Sequence, residues 1–127
     1  MNSEFPSADE YSSERAHHPG MTVVDIRAEQ AAVTESYKNQ VLLDINKDCM
    51  RLSVFEGQYR WHLHPDSDEL FLVGVGELEI EFEDGHLTTL TEWQCLVVPA
   101  GTVHRTRAIG RTVNVTYEKQ GAQTVFV

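Results

Sequence analysis

The chain has 127 residues, enough for one domain with one core and too few for two. Hydrophobic residues make up 41% and charged residues 24%, the balance of an ordinary folded protein. The formal net charge of −10 repels phosphates and so excludes nucleic acid and anionic membrane surfaces as partners; no stretch approaches the ~18 apolar residues of a membrane span.

Residues 1–20, "MNSEFPSADEYSSERAHHPG", are polar and have neither an apolar period nor the apolar run of a signal peptide. They are expected to form a weakly ordered leader, with His17 and His18 irrelevant to function, and the protein is expected in the cytoplasm. Met21 opens a different texture and is a candidate alternative start, so that residues 21–127 make the single domain. Residues 25–38, "DIRAEQAAVTESYK", are expected to be helical. Cys49 and Cys95 form no CxxC pair, and two buried reduced thiols are expected.

From Val41 onward short apolar or alternating runs are separated by turn signals, the pattern of an all-β barrel or sandwich. "VLLDI", "RLSVFEG", "YRWHLH" and "ELFLV" come first, and Gly74 and Gly76 then bend the chain. In "ELEIEFE" Leu78, Ile80 and Phe82 face inward while the glutamates face water. Asp84-Gly85 is a hairpin turn, and "HLTTL", "CLVVP", "VHRTRA" and "TVNVTYE" supply four further strands.

In "WHLHPDSDEL" strand alternation puts His62 and His64 on one face, where two neutral imidazoles can grip one cation. A carboxylate after the turn, Asp68 or Glu69, offers a third donor, and "PAGTVHR" offers a fourth in His104. Such donors suit one divalent ion, Fe, Mn, Ni or Zn, with positions left for water or substrate. Spacing alone does not bring His104 to His62.

These segments resemble the two motifs of the cupin superfamily. Gly57, His62, His64, Glu69 and Gly76 follow the first motif, with four residues rather than five after the leading glycine. Pro99, Gly101 and His104 follow the second; Trp93 stands at its leading glycine and Ala108 at its final asparagine. The resemblance covers about residues 41–118 and is to the small single-domain bacterial cupins. It implies a double-stranded β-helix, or jelly-roll barrel, often a homodimer, with the metal held by His62, His64, Glu69 and His104. It thereby selects Glu69 over Asp68.

Gln58 and Arg60 share parity with His62 and are expected to line the pocket; Tyr117 is a further candidate. Trp61 and Leu63 lie on the opposite face and are expected at a homodimer interface. A cupin fold does not fix a reaction. The expected function is a metal-dependent enzyme acting on a small molecule, of dioxygenase or isomerase type. The alternative is a non-catalytic small-molecule-binding or sensing cupin whose metal is structural or orients the ligand.

Overall fold

The computed structural model describes residues 5–127; the first four residues of the expected leader lie outside the described residues. Eight strands form one curled antiparallel sheet: β1 (Tyr37–Ile45), β2 (Asp48–Gln58), β3 (His62–Leu63), β4 (Glu69–Phe82), β5 (Leu87–Leu90), β6 (Cys95–Val98), β7 (His104–Lys119) and β8 (Val125–Phe126). The all-β expectation holds. Four of the expected runs merge pairwise, because β4 and β7 each continue where a break is expected. In β4 the glycines produce register shifts on either side of Val75 instead of ending the strand.

Strand β7 is the spine. It pairs with β2 along one edge, from Asp48↔Lys119 to Gln58↔Arg107, and with β4 along the other, from Glu69↔Glu118 to Phe82↔His104. Its first residue also pairs with β3, through His62↔His104. Gly76 makes the close crossing between β4 and β7 possible. Its φ is +93°, and a Cβ there would stand 2.7 Å from Thr112 Oγ1 and 2.9 Å from the Arg111 carbonyl.

Apolar side chains separate into two clusters. One lies inside the barrel and includes Tyr37, Phe55, Tyr59, Phe71, Leu78 and Ile80. The other joins Leu42, Leu52, Val54 and Val113 on the outer face to Val33, with Val24 and Ile26 packed against it. Helix α2 (Ile26–Ala31), capped by Asp25, which accepts from the Arg27 and Ala28 amides, covers that face. It is shorter than the 25–38 expected, because Val33 enters the outer core and Tyr37 already belongs to β1.

The leader differs from expectation across its described part. Helix α1 (Ala8–Ser13) starts at a capping box in which the Glu10 amide donates to Ser7 Oγ and the Ser7 amide to Glu10 Oε1. Tyr11 is buried, and the His17 and His18 amides donate to the Val41 and Leu42 carbonyls, tying the segment to β1. His18 Nε2 lies 2.7 Å from Glu29 Oε1, which ties the segment to α2. One well-placed aromatic anchors a stretch whose composition alone reads as unstructured.

Trp61 and Leu63 are half-buried by the chain itself: Arg105 lies over the indole and Val125 pairs with Leu63. Among the described residues no helix is long and apolar enough to cross a membrane.

The two cysteines do not share a fate. Cys49 is buried, its thiol pushed up to about 11 by burial, whereas Cys95 on β6 is exposed. A thiol-specific disulfide reagent should therefore titrate one cysteine per native chain and both after denaturation; rapid modification of both in the native state would contradict this burial. Gly76→Ala should lower unfolding free energy by more than ~3 kcal/mol, combining left-handed strain with a backbone clash. Gly85, with φ +90° and no atom within 4 Å of the position a Cβ would take, provides the contrast. Gly85→Ala should cost only about 1 kcal/mol in the same urea titration.

Candidate metal centre

Strand β3 carries His62, and His64 follows just past its end; Glu69 opens β4 and His104 opens β7. All four side chains are buried. Each imidazole meets a main-chain carbonyl through Nδ1: His62 with Arg60 at 2.7 Å, His64 with Gln123 at 2.9 Å and His104 with Thr102 at 2.8 Å. A carbonyl only accepts, so Nδ1 must hold the proton and donate. In the neutral ring the lone pair then resides on Nε2 in all three cases. His64 Nε2 lies 3.3 Å and His104 Nε2 3.6 Å from Glu69 Oε1. Neither contact has hydrogen-bond geometry, and Glu69 Oε1 and His104 Nε2 have no hydrogen-bond partner among the described residues.

Buried polar atoms are rarely left in that state without a reason. Imidazole lone pairs and a carboxylate that converge with unsatisfied atoms form a donor set suited to a divalent cation, so the residues fit the group that the motifs imply. The donors fall into two overlapping groups sharing Glu69: His62, Glu69 and His104 in one, His64, Glu69 and Glu118 in the other, each with ligand atoms within 4.8 Å of one another. Glu118 belongs to neither motif, and the sequence gives no sign of it.

Burial and the neighbouring His104 push His62 down to about 4, which keeps its ring neutral. Burial also opposes charge on His64, but the Glu69 carboxylate outweighs it and raises His64 to about 9. Burial alone would raise Glu69; His104 and His64 more than reverse this and hold it well below the usual carboxylate range. Burial and the charge of Glu69 push Glu118 up to about 8.

Asp68 points away from this cluster and is exposed; its Oδ1 accepts from the Ala100 amide and steadies the turn that leads to His104. The pocket-lining expectations for Gln58, Arg60 and Tyr117 are corrected. The chain leaves the sheet at residues 59–61 after a bulge at Gly57, so parity with His62 is lost. Tyr59 turns in, while Gln58 is exposed and the exposed Arg60 lies over Phe126. Tyr117 is on the outer side of β7 and donates to Asp48 Oδ2. On the half of β7 that carries Tyr117 the inward-facing residues are Asn114, Thr116 and Glu118, and nearer its start His104 and Thr106 face inward as well.

The cavity beside the cluster has a volume of about 30 Å³ and is walled by Tyr11, Ser53, Tyr59, Phe71, Asn114 and Thr116, among others. Asn114 Oδ1 and Thr116 Oγ1 also have no hydrogen-bond partner among the described residues. Tyr11 stacks on His64 with ring centroids 5.5 Å apart and donates from its hydroxyl to Glu118 Oε1 at 2.6 Å.

Fold and cluster together define a small single-domain barrel with a histidine–carboxylate centre. Residues 50–117 match the family model described as "Cupin domain", and the chain belongs to the cupin family. It is 48% identical over 95 residues to "Uncharacterized protein YdbB" of Bacillus subtilis (strain 168), covering 75% of this chain and 84% of that protein. A cupin-2 domain containing protein from Shewanella frigidimarina superposes with a TM-score of 0.72 at 28% identity, covering 76% of this chain and 94% of that one. Protein NMB1881 from Neisseria meningitidis superposes at 0.71 with 26% identity, covering 77% and 99%.

The electrostatics make a proton-release prediction. A metal can bind Nε2 of His64 only after the proton there has left, and with a raised value near 9 that proton is present at pH 7. Adding a divalent ion to metal-free protein in weak buffer at pH 7 should release at least one proton per ion bound. The release should vanish above about pH 10, where His64 is already neutral. An indicator dye reads it directly; uptake without release at pH 7 would contradict the charged His64.

Proposed function

We propose that this cupin holds one divalent metal ion through His62, His64, Glu69 and His104 and is a metal-dependent enzyme for a small molecule, of dioxygenase or isomerase type. The observation that supports this most is the convergence of imidazoles whose Nδ1 atoms are committed to backbone carbonyls, leaving the Nε2 atoms for a cation beside Glu69. A bound ion would supply Lewis acidity and open coordination positions. The chain's own part is to orient and to exclude water. Phe71 and Tyr59 keep the cavity wall apolar, while Asn114, Thr116 and Ser53 offer polar atoms that can fix a substrate's hydroxyl or amine.

The non-catalytic reading draws support from a different observation: the cavity, at about 30 Å³, has room for little more than a water or two. A sensing cupin would use the ion to orient a ligand and turn nothing over.

Elemental analysis of purified protein should find close to one divalent ion per chain. His104→Ala should remove it as fully as His62→Ala, although the two residues are far apart in sequence. Asp68→Ala and His86→Ala should leave it in place. The ligand variants should also lose the extra thermal stability that the ion gives the folded state. Occupancy that survives both His62→Ala and His104→Ala would overturn the reading.

A further inference from the structure

We propose that the segment carrying Tyr11 and Glu14 occupies a ligand site of this barrel, and that the ligand which displaces it is a small hydroxylated monocarboxylate held by Arg51. The inference rests on the metal-centre reading only for what lies next to the site; the site itself is built by other residues.

Arg51 is the unexpected feature. It sits on β2 on the same face as Ser53 and Phe55, which wall the cavity, and it is 1% exposed. A guanidinium so buried requires partners. The barrel supplies one hydrogen bond, from Arg51 Nη1 to Asn39 Oδ1 at 3.0 Å. The segment supplies the others: the Tyr11 carbonyl accepts from Nη2 at 2.7 Å, and Glu14 Oε2 accepts from Nη1 at 3.4 Å. Glu118 Oε2 approaches Nε to 3.6 Å but forms no hydrogen bond, and Nε has no partner among the described residues. Two oxygens facing the two terminal nitrogens of an arginine fork is the arrangement in which that fork takes a carboxylate.

The aromatic ring completes the likeness. The Tyr11 ring lies against Arg51, with Cζ 3.7 Å from its centroid, and also stacks on His64. Its hydroxyl reaches Glu118, which stands beside Glu69 and His64. The segment thus presents a hydroxyl toward the candidate metal centre and acceptor oxygens toward the guanidinium. A free molecule with a hydroxyl at one end and a carboxylate at the other carries the same groups. Withdrawing Glu14 removes a negative charge from beside a buried cation, a deficit that one monoanion restores.

Detachment is feasible because the sheet does not depend on the segment. Outside Arg51 the segment holds on through the His17 and His18 amides, the Val41 amide to Glu14 Oε2, Gln120 Nε2 to the Glu14 carbonyl, the Tyr11 hydroxyl to Glu118, the His18–Glu29 contact and the packing of Phe5 on Tyr37 and Tyr59, all of which must open together. No strand of the barrel is interrupted when these open, and α1 is only six residues long. Local opening of this kind precedes global unfolding in many domains. The protein's charge of −10 opposes an arriving anion, but over a range limited to about 8 Å at physiological salt.

The test uses the full chain, metal-loaded and metal-stripped, with 4-hydroxyphenylacetate as probe and its neutral amide as control. Calorimetry should detect the acid and not the amide. Glu14→Gln should tighten the acid about tenfold, because a weakened occupant raises the competent fraction. Arg51→Lys, which keeps the charge and loses the fork, should weaken it about tenfold. Hydrogen exchange at the His17 and His18 amides should accelerate when the acid binds, the opposite of ordinary protection by a ligand. Binding that slows or leaves unchanged that exchange overturns the proposal, as does equal affinity for the amide, or no binding to either wild type or Glu14→Gln. Metal content measured on the same samples separates this from the metal reading: protein that holds its ion and ignores the acid sinks only the present inference.

Discussion

Everything that gathers in the centre of this protein depends on β7 being paired on both edges. A strand of sixteen residues with β2 on one side and β4 on the other has no freedom to slide, since a slip by one residue would turn every side chain to the opposite face. That fixed register sets His104 directly across from His62 and Glu118 across from Glu69. The cluster is therefore a product of ladder geometry, and side chains do little searching to form it.

A second layer of constraint comes from carbonyls. Three loop or strand-end carbonyls, those of Arg60, Thr102 and Gln123, hold three ring nitrogens and so fix both the orientation and the tautomer of each imidazole. Because main-chain atoms do this work, the site depends on the path of the chain rather than on the identity of the residues that lend the carbonyls. Donors so fixed would need little reorganisation to take an ion.

The barrel is legible in the sequence because strand periodicity survives in runs such as Glu77 to Glu83, where apolar and acidic residues alternate cleanly. His62 and His64 are legible for the same reason, and His104 through its motif. Two kinds of residue escape. Tyr117 is a candidate because apolar residues are expected inside, yet this molecule buries apolar side chains on both faces of β7 and keeps Asn114 and Thr116 for the cavity and Glu118 for the cluster beside it. A polar pocket inverts the usual reading of alternation. Gln58 and Arg60 fail because one bulge and three residues outside the sheet are enough to reset parity. The docking of α1 escapes although its capping box, Ser7 to Glu10, stands in the sequence, because a single buried aromatic has no periodicity to detect. Trp93 explains the departure at the second motif: with φ +67° it adopts the left-handed conformation for which glycine is suited, and its side chain, 77% exposed, meets no core that would forbid it.

The C-terminal strand carries a consequence for the order of events when the protein is made. Strand β8 pairs with β3, which bears His62, and the Gln123 carbonyl just before it orients His64. A growing chain that has already released "HLH" still lacks the atoms that aim one of those rings, and it lacks β7 until residue 119 is free. Contacts this distant in sequence form late and slowly compared with local ones. An ion captured by the early histidines would meet a loose and incomplete set of donors. Any discrimination among cations by these donors would thus belong to the finished fold, after residue 126 has emerged, and not to the nascent chain.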